Sequence, residues 1–158
     1  MKKIVISKLL LNDKDCVFDL LQDEKAMKYI GPRRALTHSE CEIWFNSELD
    51  EPFRFVFRHV ETQEVVGFCG VKEIDGELDF GYFIRRQYWG QGFSKIMCKE
   101  VIEKIRPIIP LNKVKVFIAS SNIASIKVAE SFGWKKISQE KNKFESGHLY
   151  NLNVYYNE

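Results

Sequence analysis

The sequence predicts an α+β domain built on a single mixed, mostly antiparallel sheet of about seven strands flanked by four helices. Three observations lead there. Between Phe53 and Ile84, three strand-like runs follow one another, the last two joined at Asp75-Gly76, a strong short hairpin signal. After Ile84 the pattern changes, and helical and strand-like segments alternate. A chain of 158 residues with 45% hydrophobic and 29% charged residues has material for one well-filled core, so residues 1–158 are expected to form one domain.

The elements follow in order. Ile4 to Leu11 reads as a strand, after which Asn12 is placed to cap a helix carrying Val17, Leu20 and Leu21 on one face. Gly31-Pro32-Arg33-Arg34 interrupts the pattern. Thr37-His38-Ser39-Glu40 is a capping box, with Cys41, Trp44, Phe45 and Leu49 behind it at helical spacing. Phe53, Phe55 and Phe57 alternate with Arg54, Val56 and Arg58, the pattern of a half-buried strand. Val65 to Ile74 and Glu77 to Ile84 complete an antiparallel meander. Gly90-Gln91-Gly92 opens a helix with apolar positions Phe93, Ile96, Met97, Val101 and Ile105, ended by Pro107. Val114, Val116 and Ile118 mark a strand, Asn122 and Gly133 bracket a helix, and Trp134–Ile137 and Leu149–Tyr155 are the last two strands.

Composition narrows the function classes. Lys plus Arg minus Asp plus Glu is 24 − 22 = +2, too mild for nucleic acid to be the main partner. No apolar run approaches a membrane span, and the run after Met1-Lys2-Lys3 is too short for a signal peptide, so the expected location is the cytoplasm with no membrane partner. Cys16, Cys41, Cys69 and Cys98 have neither zinc spacing nor the density of a disulfide scaffold. His38, His59 and His148 show no metal spacing, so no metal is expected. Cys69 and Cys98 sit among apolar neighbours and read as buried structural thiols rather than nucleophiles.

The informative junction runs from Tyr82 through Arg85-Arg86-Gln87-Tyr88-Trp89 to Gly90-Gln91-Gly92. A strand enters a two-glycine loop and a helix starts at once. The first amides of a helix have no partner within it, and the helix dipole adds positive potential, so such a turn can hold a phosphate or pyrophosphate. Arg85 and Arg86 are expected to add charge. The same residues serve equally well as a tight strand–helix connection. There is no G-x-x-x-x-G-K-[ST] pattern, and no G-x-G-x-x-G in a first βαβ unit, which sets aside a P-loop and a dinucleotide fold.

Gln87-Tyr88-Trp89-Gly90-Gln91-Gly92 resembles the Q/R-x-x-G-x-G/A acetyl-coenzyme A motif of the GNAT N-acetyltransferase superfamily. Its context, Asp79-Phe80-Gly81-Tyr82 through Phe93, together with Asn122-x-x-Ser125 and Phe132-Gly133-Trp134, resembles the subgroup of ribosomal-protein N-terminal alanine acetyltransferases. The resemblance covers nearly the whole chain. It implies an acetyltransferase using acetyl-CoA as co-substrate, with the sheet splayed where that molecule enters. Backbone amides of Gln87, Trp89, Gly90, Gln91, Gly92, Phe93 and Ser94 would hold the pyrophosphate. The backbone near Phe83 and Ile84 would pair with the pantetheine arm, and Asn122 would hydrogen-bond it. Ser125 would lie by the thioester sulfur. Asp79 would accept the amine proton, although the subgroup often has a longer glutamate there. The tyrosine that many members place in the later helix is missing between Asn122 and Phe132, which leaves Ser125, a water or Tyr155 to meet the thiolate.

The resemblance implies direct attack by a primary amine in a ternary complex. The acceptor is a peptide N-terminus or an amine-bearing small molecule such as a polyamine or amino sugar. A non-catalytic acyl-CoA sensor and a phosphate-binding domain of another kind remain open alternatives. Tyr29 to Glu51 and the Asp75-Gly76 hairpin are expected to wall the acceptor cleft, with Glu40, Glu42, Glu48, Asp50 and Glu51 lending it negative charge. Lys95, Lys99 and Lys127 are candidates for the 3′-phosphate, and the chain is expected to be a monomer or a homodimer.

Overall fold

The computed structural model describes residues 2–152. The element order is β1 (Ile4–Ser7), α1 (Lys14–Leu21), α2 (His38–Glu48), β2 (Arg54–His59), β3 (Val65–Ile74), β4 (Glu77–Ile84), α3 (Phe93–Ile105), β5 (Val114–Ala119), α4 (Ile123–Phe132), β6 (Lys135–Lys141) and β7 (Ser146–Asn151). The strands form one mixed seven-stranded sheet in the order β1-β2-β3-β4-β5-β7-β6, open at both edges, accompanied by four α-helices. Two compact units divide the chain, Met1–Gly70 with Tyr82–Ile102 and Val71–Gly81 with Glu103–Glu158. Among the described residues no helix is long and apolar enough to cross a membrane.

In the first unit, β1 and β2 pair antiparallel from Ile4/His59 to Ser7/Val56, and β2 continues onto β3. Helix α1 turns Val17, Phe18, Leu20 and Leu21 into a core with Phe45 of α2, Val56, Phe68 and Phe83. Each such side chain taken out of water contributes about 1.5–3 kcal/mol. Helix α2 starts as its sequence dictates. Thr37 Oγ1 accepts from the Glu40 N–H at 3.2 Å, and the Glu40 carboxylate accepts from the Thr37 N–H at 2.8 Å. The hydrogen bonds from Arg34, then that from Thr37, hold the Glu40 carboxyl down to about 2.

Four expectations are corrected here. The first strand stops at Ser7, and Asn12 caps nothing. Leu11–Asp13 is a 3₁₀ turn, and α1 begins at Lys14. Asp13 accepts the Leu10 N–H at 2.8 Å and receives both terminal nitrogens of Arg58, at 2.7 and 2.8 Å. Strand β2 is not half-buried. Val56, Phe57 and Arg58 are all buried, because the Asp13 carboxylate neutralises the one charge that would otherwise exclude burial. Along α3, Ile96 is 39% exposed, while Met97, Cys98, Val101, Ile102 and Ile105 are fully buried. The helical stripe is centred on Met97 and Val101, and Ile96 lies to one side of it.

In the second unit, Asp75 (φ 52°) and Gly76 (φ 80°) make the two-residue turn that the hairpin signal promised. Strand β5 pairs antiparallel with β7 from Lys115/Asn151 to Ala119/Gly147, and β7 pairs with β6. Helix α4 is capped by Asn122, whose Oδ1 accepts the Ser125 N–H at 3.3 Å, and it is closed by Gly133. The expected final strand runs past residue 152, and its later part, Tyr155 included, lies outside the described residues.

Candidate acetyl-CoA site

The parallel ladder between β4 and β5 consists, among the described residues, of Leu78/Val114 and Asp79/Lys115. Both strands continue, to Ile84 and Ala119.

Nine of the residues read from sequence lie in the first unit: Phe83, Ile84, Gln87, Trp89, Gly90, Gln91, Gly92, Phe93 and Ser94. Phe83 is buried, its ring stacked on Phe68 at 5.3 Å and edge-on to Trp44 at 5.9 Å. The Arg85 N–H donates to Val66 O on β3 at 2.9 Å. After a short 3₁₀ turn at Arg86–Tyr88, the chain reaches Gly90 (φ 78°) and Gly92 (φ 76°), and α3 begins at Phe93. These φ values belong to the left-handed region that side chains other than glycine's enter at a cost. A Cβ at either glycine would meet nothing within 4 Å. The turn therefore presents bare, open backbone at the positive end of a thirteen-residue helix, which suits an oxyanion. Gln87, Gln91 and Trp89 are exposed, Ser94 is half-buried, and Phe93 anchors the helix start in the core.

The expectation that Arg85 lends charge to this turn is corrected. Arg85 is buried, with its guanidinium on Asp19, Glu64 and the Val65 carbonyl at 3.1–3.2 Å. Burial works against its charge, but the bonds to Glu64 and Asp19 outweigh that and raise its pKa above the ordinary arginine value. Arg86 pairs with Asp23 at 3.0 Å. Both arginines tie the loop to its own scaffold. The anionic character expected of Tyr29–Glu51 is reduced in the same way. Glu40 pairs with Arg34, Glu42 with Lys14, and buried Glu48 with Arg54.

Sequence reasoning missed one contact. The Trp89 indole Nε1–H donates to the Ile84 carbonyl at 2.9 Å. That carbonyl belongs to the backbone expected to pair with pantetheine. Nothing in the local pattern announces a side chain that reaches back five residues to a strand end.

The remaining site residues, Asp79, Asn122 and Ser125, lie in the second unit. Asp79 is half-buried on β4, level with Lys115 on β5. Asn122 and Ser125 are half-buried at the start of α4, joined by the cap hydrogen bond. Among the described residues no group of three or more His, Cys, Asp or Glu side chains could hold a metal ion. Cys69 and Cys98 are fully buried; desolvation, then a hydrogen bond with Cys98, pushes the Cys69 thiol well above its ordinary value, the opposite of a nucleophile's requirement.

Known proteins resemble this chain in sequence and in fold. The Bacillus licheniformis protein described as uncharacterized N-acetyltransferase p20 is 27% identical over 143 residues, spanning 85% of this chain and 80% of that protein. A GNAT-family acetyltransferase from Bacillus anthracis superposes with a TM-score of 0.78 at 18% identity, over 95% of this chain and 93% of the other. A spermidine N-acetyltransferase from Vibrio cholerae, solved in complex with CoA and spermine, superposes with a TM-score of 0.75 at 16% identity, over 94% and 93% of the two chains. The sequence pattern of the Acetyltransferase (GNAT) domain matches residues 3–135. With that match over most of its length, the chain belongs to the GNAT acetyltransferase family and is an acyltransferase.

Proposed function

We propose that this protein, acting as a single domain over residues 1–158, transfers the acetyl group of acetyl-CoA to a primary amine by direct attack in a ternary complex. The observation that carries the reading is the open Gly90–Gly92 turn, both glycines at positive φ, immediately before α3. In this reading the amides of Gln87 and of Gly90 to Ser94 hold the pyrophosphate, the expected Trp89 amide being already given to Arg86 O at 3.1 Å, and the backbone at Phe83 and Ile84 receives the pantetheine arm. The resemblance assigns Asn122 a pantetheine hydrogen bond and Ser125 a place by the sulfur.

The chemistry asks for little. The amine loses a proton to Asp79, directly or through water, and its nitrogen bonds to the thioester carbonyl carbon. The C–S bond breaks and the thiolate departs, taking a proton from Ser125 or water. Holding the two reactants together supplies much of the acceleration, and acid–base help adds about 10²–10⁴-fold. Desolvated thiols at Cys69 and Cys41 favour direct attack over an acyl-cysteine route.

The subgroup resemblance points to a peptide N-terminus as acceptor. A polyamine is the second reading, motivated by the spermine-bound Vibrio cholerae relative. The test is a panel of amines, with N-terminal peptides, polyamines and amino sugars, assayed for release of free CoA thiol. Amine-dependent thiol release is the expected result. CoA binding without turnover on any amine would favour a sensor, and stabilisation by ATP in preference to CoA would favour another phosphate-binding role.

A further inference from the structure

The segment from Arg85 to Trp89 is bound to its own unit at successive residues. The Arg85 guanidinium is held by Asp19 and Glu64 and lies 5.8 Å from the Tyr88 ring centre. Arg86 is held by Asp23. Tyr88 stacks on His59 at 5.8 Å, and its N–H donates to Arg85 O at 2.9 Å. Trp89 closes the series: its N–H donates to Arg86 O at 3.1 Å and its indole N–H to Ile84 O at 2.9 Å. Trp89 is 48% exposed, so core packing alone does not dictate where its indole points. The bond to Ile84 does. It ties the residue just before Gly90 to the last residue of β4, the two ends of the loop that leads into the turn.

We propose that Trp89 is a positioning residue, whose indole N–H locked on the Ile84 carbonyl keeps the Gly90–Gly92 turn preformed for the pyrophosphate of acetyl-CoA. This rests on the reading of that turn as the cofactor cradle and adds a side chain that shapes it without transferring a proton. Gly90 and Gly92 both sit in the left-handed region and form no core contact through a side chain, so the turn depends on its flanks for a single conformation. On one flank Phe93 is buried; on the other the indole bond is the last fixed point. If the braced conformation is only fractionally populated, apparent affinity falls in proportion to that fraction. Loss of one neutral hydrogen bond therefore corresponds to roughly a three- to tenfold rise in dissociation constant.

The experiment compares the wild-type protein with Trp89→Phe, which keeps a ring and loses the N–H, and Trp89→Ala, which loses both. Three quantities are read: hydrogen exchange at the Tyr88 and Trp89 amides without ligand, the CoA dissociation constant, and KM against kcat for acetyl-CoA. Both variants are expected to stay folded, because the ring is half-exposed. Faster exchange in Trp89→Phe is expected, with CoA Kd and acetyl-CoA KM raised together roughly three- to tenfold and kcat reduced by a smaller factor. Trp89→Ala should be no more than slightly worse. Wild-type exchange and affinity in Trp89→Phe, with loss only in Trp89→Ala, would show that the ring itself touches the ligand and would overturn the brace. A wild-type protein that binds no CoA would overturn the cradle reading and the proposal with it, whereas wild-type binding with an indifferent Trp89→Phe overturns the brace alone.

Discussion

Replacing Gly92 by valine separates a cofactor cradle from an ordinary tight turn. Gly92 sits at φ 76°, and a Cβ there would meet no atom within 4 Å, so the first side-chain carbon has room in the folded protein. What it introduces is left-handed strain, ~1–2 kcal/mol for an L-residue and more for a branched one. In a protein of this size that corresponds to a fall in melting temperature of roughly 2–8 °C. Binding should suffer more. The branched side chain stands over the open backbone, and loss of even one charge-assisted N–H bond to a phosphate oxygen costs ~1.5–3 kcal/mol, or about ten- to a hundredfold in affinity. Gly76 is the matched control, with φ 80° and the same open surroundings, in the turn between β3 and β4. Calorimetric titration with CoA and thermal melts of both variants make the comparison. Gly76→Val should lose similar stability and retain CoA affinity, and Gly92→Val should lose both. A folded Gly92→Val protein that binds CoA like the wild type would refute the cradle.

Further outcomes are expected at four other residues. Asn122→Asp preserves an acceptor for the Ser125 N–H and places a negative charge at the start of α4, so the melting temperature should hold while the KM for acetyl-CoA rises; wild-type values for both would leave Asn122 as a cap alone. Ser125→Ala should lower turnover roughly ten- to a hundredfold with CoA binding intact, and Asp79→Asn should shift or abolish the acidic limb of the pH–rate profile; full turnover in the first and an unchanged profile in the second would leave positioning as the whole mechanism. Asp13→Ala strands the buried Arg58 guanidinium, whose side chain is 8% exposed, and should cost about 3–5 kcal/mol, read as a melting temperature lower by roughly 6–20 °C. In the double variant Asp13→Leu with Arg58→Met most of that loss should be recovered, because no charge is then left buried.

What was legible in the sequence is what neighbouring residues decide among themselves. The Thr37–Glu40 box, the Asn122 cap and the Asp75-Gly76 turn each close over two or three residues of chain. The order of strands and helices followed from hydrophobic periodicity, and the Gly-x-Gly junction was visible because bare backbone before a helix has its own local signature. The contacts that sequence did not reveal join distant residues. Arg58 meets Asp13 across 45 positions and Arg85 meets Asp19 across 66, so two arginines that read as surface charge and as anion ligand are buried in ion pairs instead. The Asp13 carboxylate, next to the expected cap Asn12, is likewise spent on Arg58 and the Leu10 N–H. The place of β7 between β5 and β6, the rotation of α3 that leaves Ile96 outside, and the reach of Trp89 to Ile84 likewise belong to the tertiary structure. An element's identity depends on hydrogen bonds within a few residues, whereas the worth of a charge or an indole N–H depends on which remote partner the folded chain brings to it.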